Sequence, residues 1–322
     1  MAETPGPATD YDVIIVGSGP AGGAAAHELT AAGLRVLVLE KERLPRYKPC
    51  GGAISGDILD SLPVDGEAVR AARITTVRFR FADSQEVIAR IHENAVSVVG
   101  RPRFDEALVR GSGAEVRDGC RVTAVHPRAG NVTVETEGGE RISASYCIAA
   151  DGPASLTGRE LLGADGELGA GIEADVVRRP ELAGDTALFH FGSVRNGYSW
   201  VFPREDTVSV GAGVFRSTRT RLKPEVRKLA REWGDGADLS VLGRPLPVSL
   251  ARRRRRHGRV LFAGDAAGLV DPLLGEGIRH ALASGRLAGR CIAAGRIAAY
   301  ERLVHREIAS DLIWAGRWAH VF

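Results

Sequence analysis

Cysteine is scarce in this chain of 322 residues: Cys50, Cys120, Cys147 and Cys291 lie far apart. No C-x-x-C and no Cys/His cluster at ligand spacing occurs, so no metal is expected. Thiols scattered in this way suit a reducing cytoplasm. No stretch approaches ~18 uninterrupted apolar residues, which excludes a spanning helix as an expectation. Met1 to Asp10 is polar, with proline and glycine and no apolar core of a secretory leader. Neither sign of charge dominates. Basic residues number 43 and acidic residues 40, a net of +3, so no general nucleic-acid field follows. The expected compartment is the cytoplasm, with peripheral contact to a membrane left open. Aromatic residues make up only 6% of the chain, so any local concentration of them carries information.

Glycine is what the chain has in excess, 40 residues of 322. The most informative cluster is in Asp12 to Lys41. Asp12 to Val16 is an apolar run of buried-strand type. Gly17-Ser18-Gly19-Pro20-Ala21-Gly22 is G-x-G-x-x-G. Ala24 to Ala32 reads as an alanine-rich helix, and Leu34 to Leu39 as a second buried strand ending in Glu40. This is a βαβ unit with the dinucleotide fingerprint in its required context. Its first two glycines allow a tight turn and close backbone approach to a pyrophosphate. The third lets helix and strand pack, and the helix N-terminus offers free N–H groups. Glu40 stands where a carboxylate accepts hydrogen bonds from a ribose diol. The unit alone does not separate FAD from NAD.

Further along, Arg46-Tyr47-Lys48-Pro49-Cys50-Gly51-Gly52 excludes regular structure. Its cysteine reads either as an inert loop residue or as one set against a flat ring. Arg73 to Arg90 alternates as a half-buried β-hairpin, and Arg101 to Val109 opens a short helix with Pro102 near its start. Ala114 to Val125, Asn131 to Glu137 and Ile142 to Ala149 read as three strands. The last runs into Asp151-Gly152, either an ordinary turn or a ligand edge of a sheet. Gly171 to Val177, Thr186 to Phe191, Tyr198 to Phe202 and Val208 to Val214 read as four more strands. In Gly197-Tyr198-Ser199-Trp200-Val201-Phe202-Pro203, three aromatics spaced by two share a face. That face is a core surface or the wall of an apolar ligand site. Arg252 to Arg256 reads as a solvated run, or as a dock for an anionic partner. A strand then ends in Gly264-Asp265, and Asp271 to Ile278 leads into a small-residue helix through Ala294. Gly275 to Ile278 offers N–H groups to a developing negative charge. Ile297 to Phe322 reads as one final helix.

Taken together, GSGPAG with Glu40-Lys41, RYKPCGG, Arg101-x-x-Phe104-Asp105, Asp151-Gly152, GYSWVFP and FAGDAAGLVDPLLGEGI resemble the FAD-dependent geranylgeranyl reductase family, within the p-hydroxybenzoate-hydroxylase-like flavoproteins. The resemblance covers nearly the whole chain and implies an α/β protein. A doubly wound, GR2-type Rossmann-like FAD domain (1–72, 98–167 and 251–322) would carry an inserted, mainly antiparallel substrate domain (73–97 and 168–250). It implies that Gly17, Gly19, Pro20, Ala21 and Gly22 hold the pyrophosphate, and that Glu40 and Lys41 lie at the adenosine ribose. Arg101, Val122 and Asp151 would lie along the cofactor. Gly264 and Asp265 would meet the ribityl chain, and Gly275, Gly277 and Ile278 the pyrimidine edge. Cys50, Gly51 and Gly52 would lie near the isoalloxazine, and Tyr198, Trp200, Phe202 and Pro203 at the substrate. The implied reaction is reduction of carbon–carbon double bonds in a prenyl-type lipophilic substrate. FAD provides the hydride, Cys50 and Tyr198 are candidate proton donors, and NADPH or reduced ferredoxin is the transient electron donor. Alternative readings are an FAD-dependent monooxygenase and a flavoprotein accessory factor acting on a protein-bound substrate. Many members continue beyond the position of Phe322, so a more open cavity, a shorter substrate, or a protein-bound or partner-covered substrate is expected.

Overall fold

The computed structural model describes residues 9–82, 85–163, 169–215, 220–235, 239–248 and 254–319. The chain opens with β1 (Tyr11–Val16), α1 (Pro20–Ala31) and β2 (Val36–Leu39). After the RYKPCGG segment come β3 (Ala53–Ser55), α2 (Gly56–Asp60), α3 (Gly66–Val69), β4 (Arg70–Ile74), β5 (Thr76–Arg80), β6 (Glu86–Arg90) and β7 (Val96–Val99). Next are α4 (Arg101–Arg110), β8 (Glu115–Arg117), β9 (Val122–Pro127), β10 (Val132–Thr136), β11 (Arg141–Ala149) and α5 (Leu156–Leu162). The middle of the chain gives β12 (Gly169–Arg178), β13 (Thr186–Phe191), β14 (Gly197–Pro203), β15 (Thr207–Val214), α6 (Lys223–Trp233), β16 (Gly234–Asp235) and β17 (Leu242–Leu246). The chain ends with β18 (Arg256–His257), β19 (Val260–Phe262), α7 (Ile278–Ala293), α8 (Tyr300–Val304) and α9 (Ser310–Trp318).

The first sheet runs β18-β19-β11-β1-β2-β8, with β10 and β9 continuing from β11. Pairing is parallel from β19 through β11, β1 and β2 to β8. Residues Val13 to Ile15 and Leu37 to Leu39 are almost wholly buried, as expected of parallel strands covered on both faces. Helix α1 packs against α7 at small residues: a Cβ on Gly285 would lie 2.1 Å from the Ala21 carbonyl oxygen. Small residues there set the separation of the two helices. The second sheet runs β16-β12-β15-β14-β13-β5-β6, with β17 also on β12, and is antiparallel except at β13/β5. Its outer side is covered by α6, whose Val226, Leu229, Ala230 and Trp233 recur at helical spacing and are buried. A small sheet β3-β7-β4 stands between the other two, and its strands β4 and β7 straddle the expected boundaries at 72/73 and 97/98.

Several expectations change. Ala114 to Val125 is two strands, because the chain turns at Gly119, where φ is +67°. Strand β8 joins β2, whereas β9 joins β10. The hairpin β5/β6 is less buried than its pattern suggests, with Val87 54% and Ile88 61% exposed. Helix α6 falls in a stretch where no helix is expected, although Val226, Leu229, Ala230 and Trp233 carry helical periodicity. The terminal helix is helical through Trp318, with a π-helical stretch at His305–Ala309 that keeps Tyr300, Val304, Ile308 and Leu312 buried. In the arginine run, Arg252 and Arg253 lie outside the described residues. Arg255 is not solvated but buried, with its backbone N–H donating to Glu301. Among the described residues, no helix is long and apolar enough to cross a membrane, and no His/Cys/Asp/Glu group could hold a metal.

Candidate functional site

A cavity of about 700 Å³ opens between the two large sheets, with the small sheet as a third wall. It begins at the fingerprint. Gly17 has φ +101°, and a Cβ on Gly22 would lie 1.9 Å from the Gly17 carbonyl oxygen. Only glycine permits that approach of helix to strand. Gly19, Pro20 and Ala21 line the cavity, at the N-terminus of α1. Gly17 and Gly22 shape the turn from behind. Glu40 is buried, and the turn itself engages its carboxylate: Oε2 accepts from Ser18 N at 3.0 Å and Ser18 Oγ at 2.6 Å, and Oε1 accepts from Glu42 N at 3.1 Å. Burial pushes its pKa up, but Arg46 and these hydrogen bonds outweigh that and hold it below the ordinary value. Lys41 is exposed and Val122 half-buried at the start of β9, and neither lines the cavity.

From Glu40 a chain of charges leads to Cys50. Arg46 Nε lies 3.4 Å from Glu40, and Arg46 Nη1 donates to Asp105 Oδ2 at 2.9 Å. Arg101 grips Asp105 with two bonds, Nε to Oδ1 at 2.9 Å and Nη2 to Oδ2 at 2.7 Å. Burial works against the charge of that guanidinium, but Asp105 and the nearby Cys50 side chain favour it. Arg101 and Asp105 are i,i+4 neighbours on α4, a pairing that was legible in the sequence. Burial works against an ionised Asp105, yet Arg101 and Arg46 keep its pKa low.

The Cys50 loop is held from the other sheet. Cys50 N donates to Glu173 Oε1 at 2.7 Å, and the Tyr47 hydroxyl donates to the same oxygen at 3.0 Å. Arg204 Nη2 donates to the Cys50 carbonyl at 3.0 Å. Arg244 Nη1 donates to the Pro49 carbonyl at 3.1 Å, while Nη2 donates to Asp265 Oδ2 at 2.6 Å. Three successive backbone polar groups are thus fixed by charges from β12, β17 and the turn after β14. Burial raises the Glu173 pKa despite Arg204 and the donors around it. None of these partners had a local signal in the sequence.

Lys48 is half-buried and lines the cavity; a Cβ on Gly19 would stand 3.7 Å from its Nζ, and one on Gly152 3.9 Å. Removal from solvent, with Arg244 and Arg101 nearby, lowers its pKa to about 7. Asp151 lies behind this edge. Its Oδ2 accepts from Thr157 N at 3.3 Å, Oδ1 has no partner, and burial raises its pKa. Gly51, Gly52, Gly264, Asp265, Gly275, Gly277 and Ile278 all line the cavity. So do Tyr198, Trp200 and Phe202, with ring centroids 6.0 and 6.2 Å apart in sequence order. Pro203 is buried but outside the cavity. The Tyr198 hydroxyl donates to the Leu274 carbonyl at 2.5 Å, and burial holds its pKa well above that of a free phenol. That makes it a weak acid.

The FAD binding domain family matches residues 10–227. A geranylgeranyl diphosphate reductase from Rhodobacter capsulatus is 30% identical over 86% of this chain and 74% of its own length. A menaquinone reductase from Mycobacterium tuberculosis is 28% identical over 87% of this chain and 76% of its own length. Among solved structures, a geranylgeranyl bacteriochlorophyll reductase-like protein from Thermoplasma acidophilum superposes with a TM-score of 0.84 at 24% identity, covering 96% of this chain and 87% of that one. The fingerprint on β1–α1, the cavity it opens into and these relatives agree: the chain belongs to the FAD-binding flavoproteins of the geranylgeranyl reductase family.

Proposed function

We propose that this protein reduces carbon–carbon double bonds of a prenyl-type lipophilic substrate. The observation that carries the reading is a single cavity with two unlike ends. One is the glycine fingerprint, Lys48 and Asp265; the other is the wall of Tyr198, Trp200, Phe202 and Phe189. The residues present fit FAD. The N-terminus of α1 meets a pyrophosphate with free N–H groups, and Lys48 stands beside it. Reduced FAD supplies a hydride to one alkene carbon, with a proton reaching the other. Arg101 and the clamp on Pro49 and Cys50 would hold the Cys50 thiol toward the cavity, and the aromatic wall would exclude water from the alkene. Cys50 is the better of the two candidate acids, because Tyr198 spends its proton on Leu274. NADPH or reduced ferredoxin would deliver electrons transiently.

The test is mass spectrometry of geranylgeranyl diphosphate and menaquinone incubated with FAD-loaded protein and dithionite without oxygen, then with NADPH in air. Products heavier by pairs of hydrogens in the anaerobic arm are expected. Products gaining oxygen only in air would replace this reading with a monooxygenase.

A further inference from the structure

The cavity floor is one side of the second sheet, and that side continues past the cavity. Cross-strand register aligns Tyr198, Trp200 and Phe202 on β14 with Ala187, Phe189 and Phe191 on β13. These in turn align with Val77 and Phe79 on β5, and those with Ala89 and Val87 on β6. Phe81 follows at the end of β5. No charge occurs on these positions. The two polar atoms, Tyr198 Oη and Trp200 Nε1, are spent on Leu274 O and Ser209 Oγ. In the opposite direction the same side is polar at the Trp200 and Phe202 end, through Ser209 on β15 to Glu173 on β12, whereas at the Tyr198 end Phe215 and Leu246 keep it apolar within the cavity.

The rings form a connected path. Phe202 lies 5.1 Å from Phe189, Phe189 5.8 Å from Phe79, Phe191 5.6 Å from Tyr198, and Phe81 6.1 Å from Phe191. Exposure climbs along it, from 5% at Phe202 and 7% at Tyr198 to 38% at Phe81 and 54% at Val87. Val77 and Phe189 line the cavity, whereas Phe79, Phe81, Phe191 and Val87 lie beyond it. Three strand spacings of about 4.8 Å carry the path roughly 14 Å from β14 to β6. An exposed apolar surface continuous with a cavity marks a binding surface rather than a random scatter of residues.

We propose that Phe79, Phe81, Phe191 and Val87 form an outer subsite for the distal units of a long polyprenyl chain, so that the protein favours long chains over short ones. This rests on the prenyl reading above and deepens it. The cavity must hold a flavin ring as well as the reacting alkene, which leaves little room for a tail. A chain leaving Trp200 toward β12 would meet Glu173, Arg204 and Arg244; toward β6 it meets only carbon. A hydrocarbon tail has no polar group to satisfy on such a surface.

FAD-loaded wild type and the Phe81→Asp/Val87→Asp variant would be titrated with geranylgeraniol, of four isoprene units, and solanesol, of nine, following tryptophan fluorescence. Both sites are exposed, and the single variant Val87→Lys on edge strand β6 serves if the double variant folds poorly. Wild type is expected to bind solanesol at least tenfold more tightly than geranylgeraniol, and the variant to lose that advantage. No length preference in wild type, or one that survives substitution, overturns the proposal. Parallel mass spectrometry of anaerobic, dithionite-reduced reactions separates the two readings. Length-dependent binding without hydrogenation leaves the subsite and removes the function; hydrogenation without length dependence does the reverse. Loss of phosphatidylcholine-vesicle pelleting in the variant, with the length ratio unchanged, would reassign the surface to bilayer docking and also overturn the proposal.

Discussion

At the scale of single residues, Lys48 has the most to say about the cofactor end. It is the one cation of the RYKPCGG segment that lines the cavity, and it sits among Arg244, Arg101, Asp265 and Asp105. Burial and the two arginines outweigh the two carboxylates and bring its pKa to about 7. A bound diphosphate favours the ammonium form and would raise that pKa. The sign follows: FAD affinity is full below pH 7, where Lys48 already holds its proton. It falls by up to about tenfold per unit as pH rises above 7, because binding must then take up a proton. Flavin-fluorescence titrations at pH 6 and pH 9 should show this slope in wild type. Lys48→Met should flatten it, with weaker affinity at pH 6. A wild-type affinity that is flat across this range would remove Lys48 from the pyrophosphate site. Lys48 was legible as part of a motif; its surroundings were not, since Arg244 lies far along the chain.

At the scale of elements, the glycines of the α1–α7 contact govern how closely the cofactor-binding turn is backed. A Cβ on Gly285 would stand 2.1 Å from the Ala21 carbonyl oxygen, and one on Gly289 2.7 Å from Glu28 Cβ. Gly285→Leu therefore cannot be absorbed by a side-chain movement and must push the two helices apart. Overpacking of this kind costs about 1–3 kcal/mol, and it moves the N-terminus of α1 away from its strand. A lower thermal midpoint together with weaker FAD retention on gel filtration is expected. An unchanged midpoint would show that α7 shifts freely and that the contact does not set the turn. The sequence announced α1, β14 and α7 through composition and periodicity. It did not separate β8 from β9, because the break is a single left-handed glycine, Gly119, inside an otherwise strand-like run. Strand β6 misled in the other direction: its alternation is real, but as an edge strand it has a neighbour on one side only.

At the scale of the whole molecule, the two large sheets are tied together through a few charged side chains. Arg244 is the clearest tie, because one guanidinium holds both Asp265 and the Pro49 carbonyl. Arg244→Met should lower stability by about 1–3 kcal/mol, the cost of leaving partly buried polar groups without a partner. The midpoint of urea unfolding should move down with the slope unchanged. A midpoint that does not move would mean that solvent replaces the guanidinium at no cost, so that the sheets are held by apolar packing alone.

The sequence by itself determined the cofactor-binding unit and the family. Those features depend on contiguous residues: a strand, a turn that only glycine can make, and a helix beginning there, with motifs such as RYKPCGG and GYSWVFP readable as written. It also determined that three aromatics share one side of β14, because a strand alternates. Only the tertiary structure decided what faces them and what holds the loop opposite. Cys50 meets Glu173 and Arg204 across 123 and 154 positions, and Pro49 meets Arg244 across 195. Each is a long-range contact between side chains and irregular backbone, which leaves no periodic trace along the chain. The apolar path from Trp200 to Val87 is of the same kind. It is assembled from β14, β13, β5 and β6 by sheet register, and register is a property of paired strands rather than of any one of them.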